Sequence, residues 1–470
     1  MVTRRLDRRG RARLVVPWLP IALIAGVGTI VGSVTWLMEH GSYNVYAGIL
    51  VALALVAVSV PLLRRAIRYE SDPRIARLLW LALCCKLLAS LARYAVAFGL
   101  YDGNADAGKY HASGAILARQ FRNGDFAVDI GRKVQGTGFI QILTGAIYTV
   151  IGATDIGGFL VFSWFGFWGL YLLHRAFVRA VPRGDHLRYA RLVFFVPSLL
   201  FWPSSIGKEA WMCLGLGICA YGAARLLTGS RGGIATFATG VIALGFVRPH
   251  IAALIAVALF AGYVLRRSPR SQSGLAPFGK LIGILVLGVV LVVAVGQLEN
   301  YLGVDAFDQE SVQLTLDEVT QQTGQGGSYI EGTGTNLNPS QFPQAFVNVV
   351  FRPFPWQASN AQSLVASVEG VFFMFLFVAG WRRLVGAARS VLDTPYVIVC
   401  ACYAVLFVYG FSSFANYGIL VRQRVQVLPF LLVLLCLPAS RQPRGRPPRS
   451  SHLDTAPPPA STTERTMAGS

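Results

Sequence analysis

One polar segment stands out in an otherwise apolar chain: Tyr101-Asp-Gly-Asn-Ala-Asp106-Ala-Gly-Lys-Tyr110-His111. Asp102 and Asp106 sit at the mouth of an apolar run. A carboxylate held there can deprotonate a sugar hydroxyl or hold a divalent cation. Asp106 can also simply cap a following helix. That helix is expected from about His111 to Arg122, with Gly114, Leu117, Ala118 and Phe121 on one side and Arg119 and Arg122 on another, the pattern of an interfacial amphipathic helix.

A second group of residues is cationic. Lys208, Arg248, Arg352, Arg422 and Arg424 are all expected at one membrane edge. Grouped there, they can clamp a phosphate or pyrophosphate, with arginine giving two-pronged contacts. Taken singly, each is equally explained by contact with lipid headgroups, and Lys208 by an ion pair with Glu209. His111 and His250 lack the spacing of zinc ligands, and His250 reads as a hydrogen-bonding group beside Arg248-Pro249. Lys86 and Arg93, seven residues apart, share a helix face. They must face a protein interior or reach to opposite interfaces, because a charge at mid-bilayer costs about 2.5–3.5 kcal/mol on insertion scales.

The elements that position these residues are membrane helices. Of 470 residues, 54% are hydrophobic and 14% charged, with a mean hydropathy of +0.53. A soluble chain carries roughly 25% charge. Apolar runs reach the about 20 residues that a spanning helix needs, and lipid-exposed backbone at that depth must be helical. The net charge of +20 comes mostly from arginines between apolar runs, as the positive-inside rule requires; it is no sign of nucleic-acid binding. The seven cysteines fall in apolar runs, which excludes a disulfide framework.

The expected architecture is all-α: a polytopic integral membrane protein with about 12 transmembrane helices. A basic cytoplasmic N-terminus, 1–14, precedes a membrane domain, 15–438, and a disordered cytoplasmic tail, 439–470. Spans are expected near 15–37, 45–63, 78–100, 156–173, 191–203, 209–227, 233–247, 250–265, 281–297, 362–381, 396–411 and 425–438. Outer loops are expected over 101–155 and 298–361, the second acidic and Gly-rich. Both termini then face the cytoplasm. Gly138–Ile151 is apolar but only about 21 Å long as a helix. It is expected not to cross, because the Arg-rich segment 174–191 must be cytoplasmic. The runs ending at Trp202-Pro-Ser-Ser205 and at Arg248-Pro249 are short and proline-interrupted, the places where membrane proteins build sites. Gly215-Leu-Gly217 reads as helix packing.

This order of elements resembles the GT-C superfamily of membrane glycosyltransferases, which use polyprenyl-phosphate-linked sugars. An outward span, an outer loop with acidic residues and juxtamembrane helices, and an inward span ending in His174-Arg175 follow one another as in that superfamily. The acidic pair here is Asp-x-x-x-Asp rather than adjacent Asp-Glu, and two extra spans precede it. The segments Pro197–Glu209 and Asn416–Phe430 look like those of Wzy-type polysaccharide polymerases. The resemblance implies glycosyl transfer from a polyprenyl-(pyro)phosphate sugar to a glycan or lipid acceptor, on the outer face of a bacterial cytoplasmic membrane. Asp106 or Asp102 would be the base. Tyr110, His111, Lys208, Glu209, Arg248, His250, Arg352, Arg422 and Arg424 would bind substrate. Mg or Mn, if used, would sit on Asp102 and Asp106. The alternatives are a Wzy-type polymerase or ligase relying on 299–360, and a transporter or flippase of lipid-linked glycan.

Overall fold

The structure is a computed structural model. It describes residues 41–70, 72–128, 134–266, 276–302, 339–358, 360–390, 394–414 and 416–438, with short stretches before residue 41. Most of the expected first span, the acidic stretch within 303–338 and the tail 439–470 lie outside the described residues. Two four-residue strands, Thr3–Leu6 and Ala12–Val15, pair antiparallel across the segment expected only as a basic N-terminus and into the first residue of the expected first span.

The other elements among the described residues are helical. Helix α1 is Tyr43–Ile67; α2 is Pro73–Tyr94, extended as a π-helix over Ala95–Leu100. The helix α3, Asp106–Arg122, and α4, Phe139–Ile151, form a hairpin. Then come α5 (Asp155–Ala180), α6 (His186–Phe195), the single turn α7 (Pro197–Phe201), α8 (Lys208–Leu227), α9 (Gly233–Gly245) and α10 (Pro249–Val264). The series closes with α11 (Ala276–Leu302), α12 (Phe342–Phe351), α13 (Ala361–Ala379), α14 (Trp381–Ser390), α15 (Pro395–Phe411), α16 (Tyr417–Arg424) and α17 (Leu428–Leu435).

The centre is α5, packed against α8, α2 and α1. Its crossing with α8 is close because glycines face each other. A Cβ on Gly217 would lie 2.3 Å from the Gly169 carbonyl oxygen, and one on Gly169 would lie 2.4 Å from that of Cys213. Without lipid-side hydrophobic drive, such backbone approach is how membrane helices gain dispersion energy. The helices begin where the sequence caps them: Asp72 accepts the Arg74 amide at 2.8 Å ahead of Pro73, and Thr154 accepts that of Gly157 at 3.2 Å.

Among the described residues six helical segments are long and apolar enough to cross a bilayer: α1, α2 with its π extension, Val134–Ile151, α5, α8 and α13. The pair α16 and α17 is long and apolar enough together but bent by 58°, the geometry of a broken span or a re-entrant loop. Among the described residues shorter apolar helical stretches lie at Gly233–Gly245, Pro249–Val264, Gly283–Gln297 within the 27-residue α11, and Pro395–Phe411. This set fits a helical membrane protein. Among the described residues the dozen expected spans are not matched by a dozen full-length helices, and two of the apolar runs are broken. The run 191–203 divides at Val196-Pro197 into α6, α7 and a 3-10 turn over Trp202–Ser204. The run 425–438 contains only α17, whose chain bends away from α16. In Val134–Ile151, Gln135 and Gly136 are non-helical, which leaves the 13 continuous residues of α4. Thirteen residues rise about 20 Å, against about 30 Å of hydrocarbon.

Candidate functional site

At one end of the bundle the broken helices leave a cavity of about 600 Å³. Each wall is an element terminus. The C-terminal end of α2 supplies Arg93, and the first turn of α3 supplies Asp106. The first turn of α8 supplies Lys208 and Glu209, the α9–α10 junction supplies Arg248, and α16 supplies Arg422 and Gln423. Both carboxylates thus stand at helix N-termini, where the unpaired amides and the helix dipole favour negative charge. Trp202, in the 3-10 turn after α7, forms part of the floor.

The charges are knitted together by Arg422. Its Nη2 lies 3.0 Å from Asp106 Oδ2, and its Nε lies 3.0 Å from Glu209 Oε1. Arg248 Nη2 reaches the same Glu209 oxygen at 3.4 Å, and Arg248 Nη1 donates to Gln423 Oε1. Glu209 is buried, whereas the Asp106 side chain is 53% exposed at the mouth. Tyr110, one turn along α3 from Asp106, is buried beside this network. Burial, with the negative charges of Asp106 and Glu209, pushes its phenol up to about 12, so it stays a protonated donor.

Of the residues predicted from sequence, Asp106, Lys208, Glu209, Arg248 and Arg422 meet in this cavity, with Tyr110 behind them. Two alternatives for individual residues are settled by geometry. Asp106 is the first residue of α3 and not its cap; Ala105 holds the cap position and offers no side-chain bond. Glu209 pairs with Arg248 and Arg422, not with its neighbour Lys208.

The remaining predicted residues lie elsewhere. Asp102 is exposed in the turn before α3, at a φ of 46°, outside the cavity lining. His111 faces the opposite way along α3, with Nδ1 2.8 Å from the Tyr148 hydroxyl and 2.8 Å from Asp155 Oδ1. His250 sits over the Phe411 ring at 6.0 Å. Arg352 is placed over Phe354, outside the lining. Arg424 is fully buried on the far side of α16: Nη2 lies 2.8 Å from Glu369 Oε2, and its guanidinium also bonds the carbonyls of Val350, Arg352 and Ala366. Glu369 in turn accepts the Ser198 amide at 2.7 Å, so this pair fastens α16 to α13 and to the break before α7.

Lys86 and Arg93 both turn inward. Lys86 Nζ donates to the carbonyls of Leu199 at 2.8 Å and Leu200 at 3.0 Å, satisfying the C-terminal carbonyls of α7. Arg93 lies over the rings of Phe201 at 4.9 Å and Trp202 at 4.8 Å. Sequence reasoning gave Arg93 no role and passed over Glu369 and Gln423. A lone acid in an apolar run was the available signal for Glu369; an isolated glutamine carries none.

The donor set does not suit a metal ion. Asp106 is engaged by Arg422 and Asp102 is turned away, and among the described residues no three His, Cys, Asp or Glu side chains gather in a ligand set. In comparisons with known proteins, no family model matches the chain, and no curated protein or solved structure matches it.

Proposed function

We propose that the protein is a membrane glycosyltransferase, moving a sugar from a polyprenyl-(pyro)phosphate carrier to a glycan or lipid acceptor at the outer face of a bacterial cytoplasmic membrane. The observation that supports this is the meeting of an accessible carboxylate, Asp106, with four cations in one cavity among apolar helices. The acceptor hydroxyl gives its proton to Asp106 as its oxygen bonds to the anomeric carbon. The bond from that carbon to the carrier phosphate breaks, and the electron pair leaves on the phosphate oxygen. The cavity cations stabilise that charge, the largest expected term, while a positioned base supplies about 10²–10⁴ in rate. Arg422 holds the base at the mouth, where an acceptor can arrive from water while the carrier remains in lipid. Loss of the protein should cause a defined lipid-linked glycan to accumulate, and the wild-type chain but not Asp106→Asn should clear it. Clearance by the Asn variant would transfer the reading to the polymerase or transporter class.

A further inference from the structure

The cavity's charges are not equivalent. Arg248 and Arg422 face Glu209 and Asp106, and these four residues together are neutral. Arg93 and Lys208 are different. Among the described residues neither forms an ion pair, although both line the cavity, and Arg93 Nε is buried without a hydrogen-bond partner. Arg93 is nonetheless fixed, its guanidinium held over Phe201 and Trp202 by cation–π contact. Lys208 is fixed at its root by the first turn of α8. The cavity therefore carries an excess of two positive charges, one of them held over aromatic rings with an unused donor. Half-buried cations without partners are unfavourable, so their occupant should be an anion of matching charge.

We infer that Arg93 and Lys208 form a pyrophosphate subsite, and that the donor is a pyrophosphate-linked rather than a monophosphate-linked polyprenyl sugar. This rests on the transferase reading above and narrows its substrate class. A sugar pyrophosphate diester carries two negative charges, one per phosphorus, whereas the monophosphate diester carries one. One charge would leave either Arg93 or Lys208 unpaired; two satisfy both. Arg422 and Arg248 stay committed to Asp106 and Glu209, which keeps the base in place while the carrier is bound.

The test is binding, not turnover, using the full chain in nanodiscs. The probes are the methyl esters of geranylgeranyl diphosphate and of geranylgeranyl phosphate, diesters carrying two charges and one, competed with inorganic pyrophosphate and with added phosphatidylglycerol. The diphosphate should bind at least tenfold tighter than the monophosphate, and inorganic pyrophosphate should compete. Arg93→Gln and Lys208→Gln should each bring the two probes to within about threefold, with Arg93→Lys retaining the preference. Equal affinities in the wild-type chain, an unchanged preference in both Gln variants, or displacement by phosphatidylglycerol at the same strength as by pyrophosphate would each overturn the inference. If the preference tracks Arg93 and Lys208 but no sugar is transferred from any donor, the subsite stands and the transferase reading falls.

Discussion

Arg422 and Arg424 lie two residues apart on one eight-residue helix, yet they do opposite things. Arg422 is partly exposed in an open cavity and shared between two carboxylates from different helices. Arg424 is 0% exposed, and its guanidinium is bound by one carboxylate and three backbone carbonyls. At about 100° per residue, two positions around a helix are nearly opposite faces. The same kind of residue serves as adjustable charge on one face and as a structural rivet on the other. What separates them is not charge but whether the local bonds leave room for a ligand.

That contrast is sharpest at the base. Asp106→Asn keeps the size of the side chain and an acceptor for Arg422 but cannot take a proton. It should fold normally and transfer sugar about 10²–10⁴ times more slowly, measured by single-turnover transfer from a radiolabelled lipid-linked donor. Activity near wild type would show that the open cavity uses no base there.

On the sealed face the effect should be stability. Removing one partner of a buried ion pair costs about 3–5 kcal/mol. Arg424→Met should therefore lower the unfolding midpoint in detergent strongly. Replacing Glu369 by Met as well should recover part of the loss, since the uncompensated carboxylate is then gone. Full recovery is not expected, because the carbonyls of Val350, Arg352 and Ala366 still lose their donor. An Arg424→Met protein as stable as wild type, but altered in donor binding, would place Arg424 with Arg422 and erase the distinction.

Smaller effects separate Arg422 from Arg352. Arg422→Ala loses two charge-assisted bonds and releases Asp106, so kcat/KM should fall by about 1.5–3 kcal/mol. Arg352→Ala, away from the cavity, should change it by less than about 0.5 kcal/mol in the folded protein. Equal losses would mean that the cavity extends to Arg352 when substrate is bound.

Much of this was legible beforehand, and the limits have physical reasons. The apolar face of α3 was readable from its period: Gly114, Leu117 and Ala118 are buried, and a Cβ on Gly114 would meet Thr144 Cγ2 at 2.6 Å across the hairpin. Gly215 and Gly217 were readable as packing residues, and both face neighbouring helices. The breaks at Pro203 and Pro249 were legible because proline removes a donor and disfavours helix at the residue before it, whereas the division at Pro197 follows the same rule and was not read. Which side of a helix faces the cavity was not. Arg422 and Arg424 read alike, because a short helix with its apolar residues at one end and its polar ones at the other has no facial pattern to orient it. Nor could spacing predict that Lys208 would leave Glu209 to two arginines from distant segments, since those partners are set by tertiary packing alone.

The smallest effect concerns the other carboxylate. Asp102 and Asp106 are four residues apart and equally polar, and the sequence offered no reason to prefer one. The structure separates them by backbone conformation. Asp102 occupies a left-handed position in the turn that leads from the π-helix to α3, exposed and away from the cavity. Asp and Asn are the side chains that tolerate that region best, because their short polar groups bond locally. Asp102→Asn should therefore keep both turn and activity, with stability within about 0.5 kcal/mol of wild type. Asp102→Val is the informative companion. A β-branched residue at this φ is strained, so it should loosen the turn that sets the first residue of α3. Its transfer rate should drop through misplacement of Asp106, with a normal rate in Asp102→Asn. A large loss in Asp102→Asn itself would move the base to Asp102 and require the turn to swing its side chain into the cavity on substrate binding.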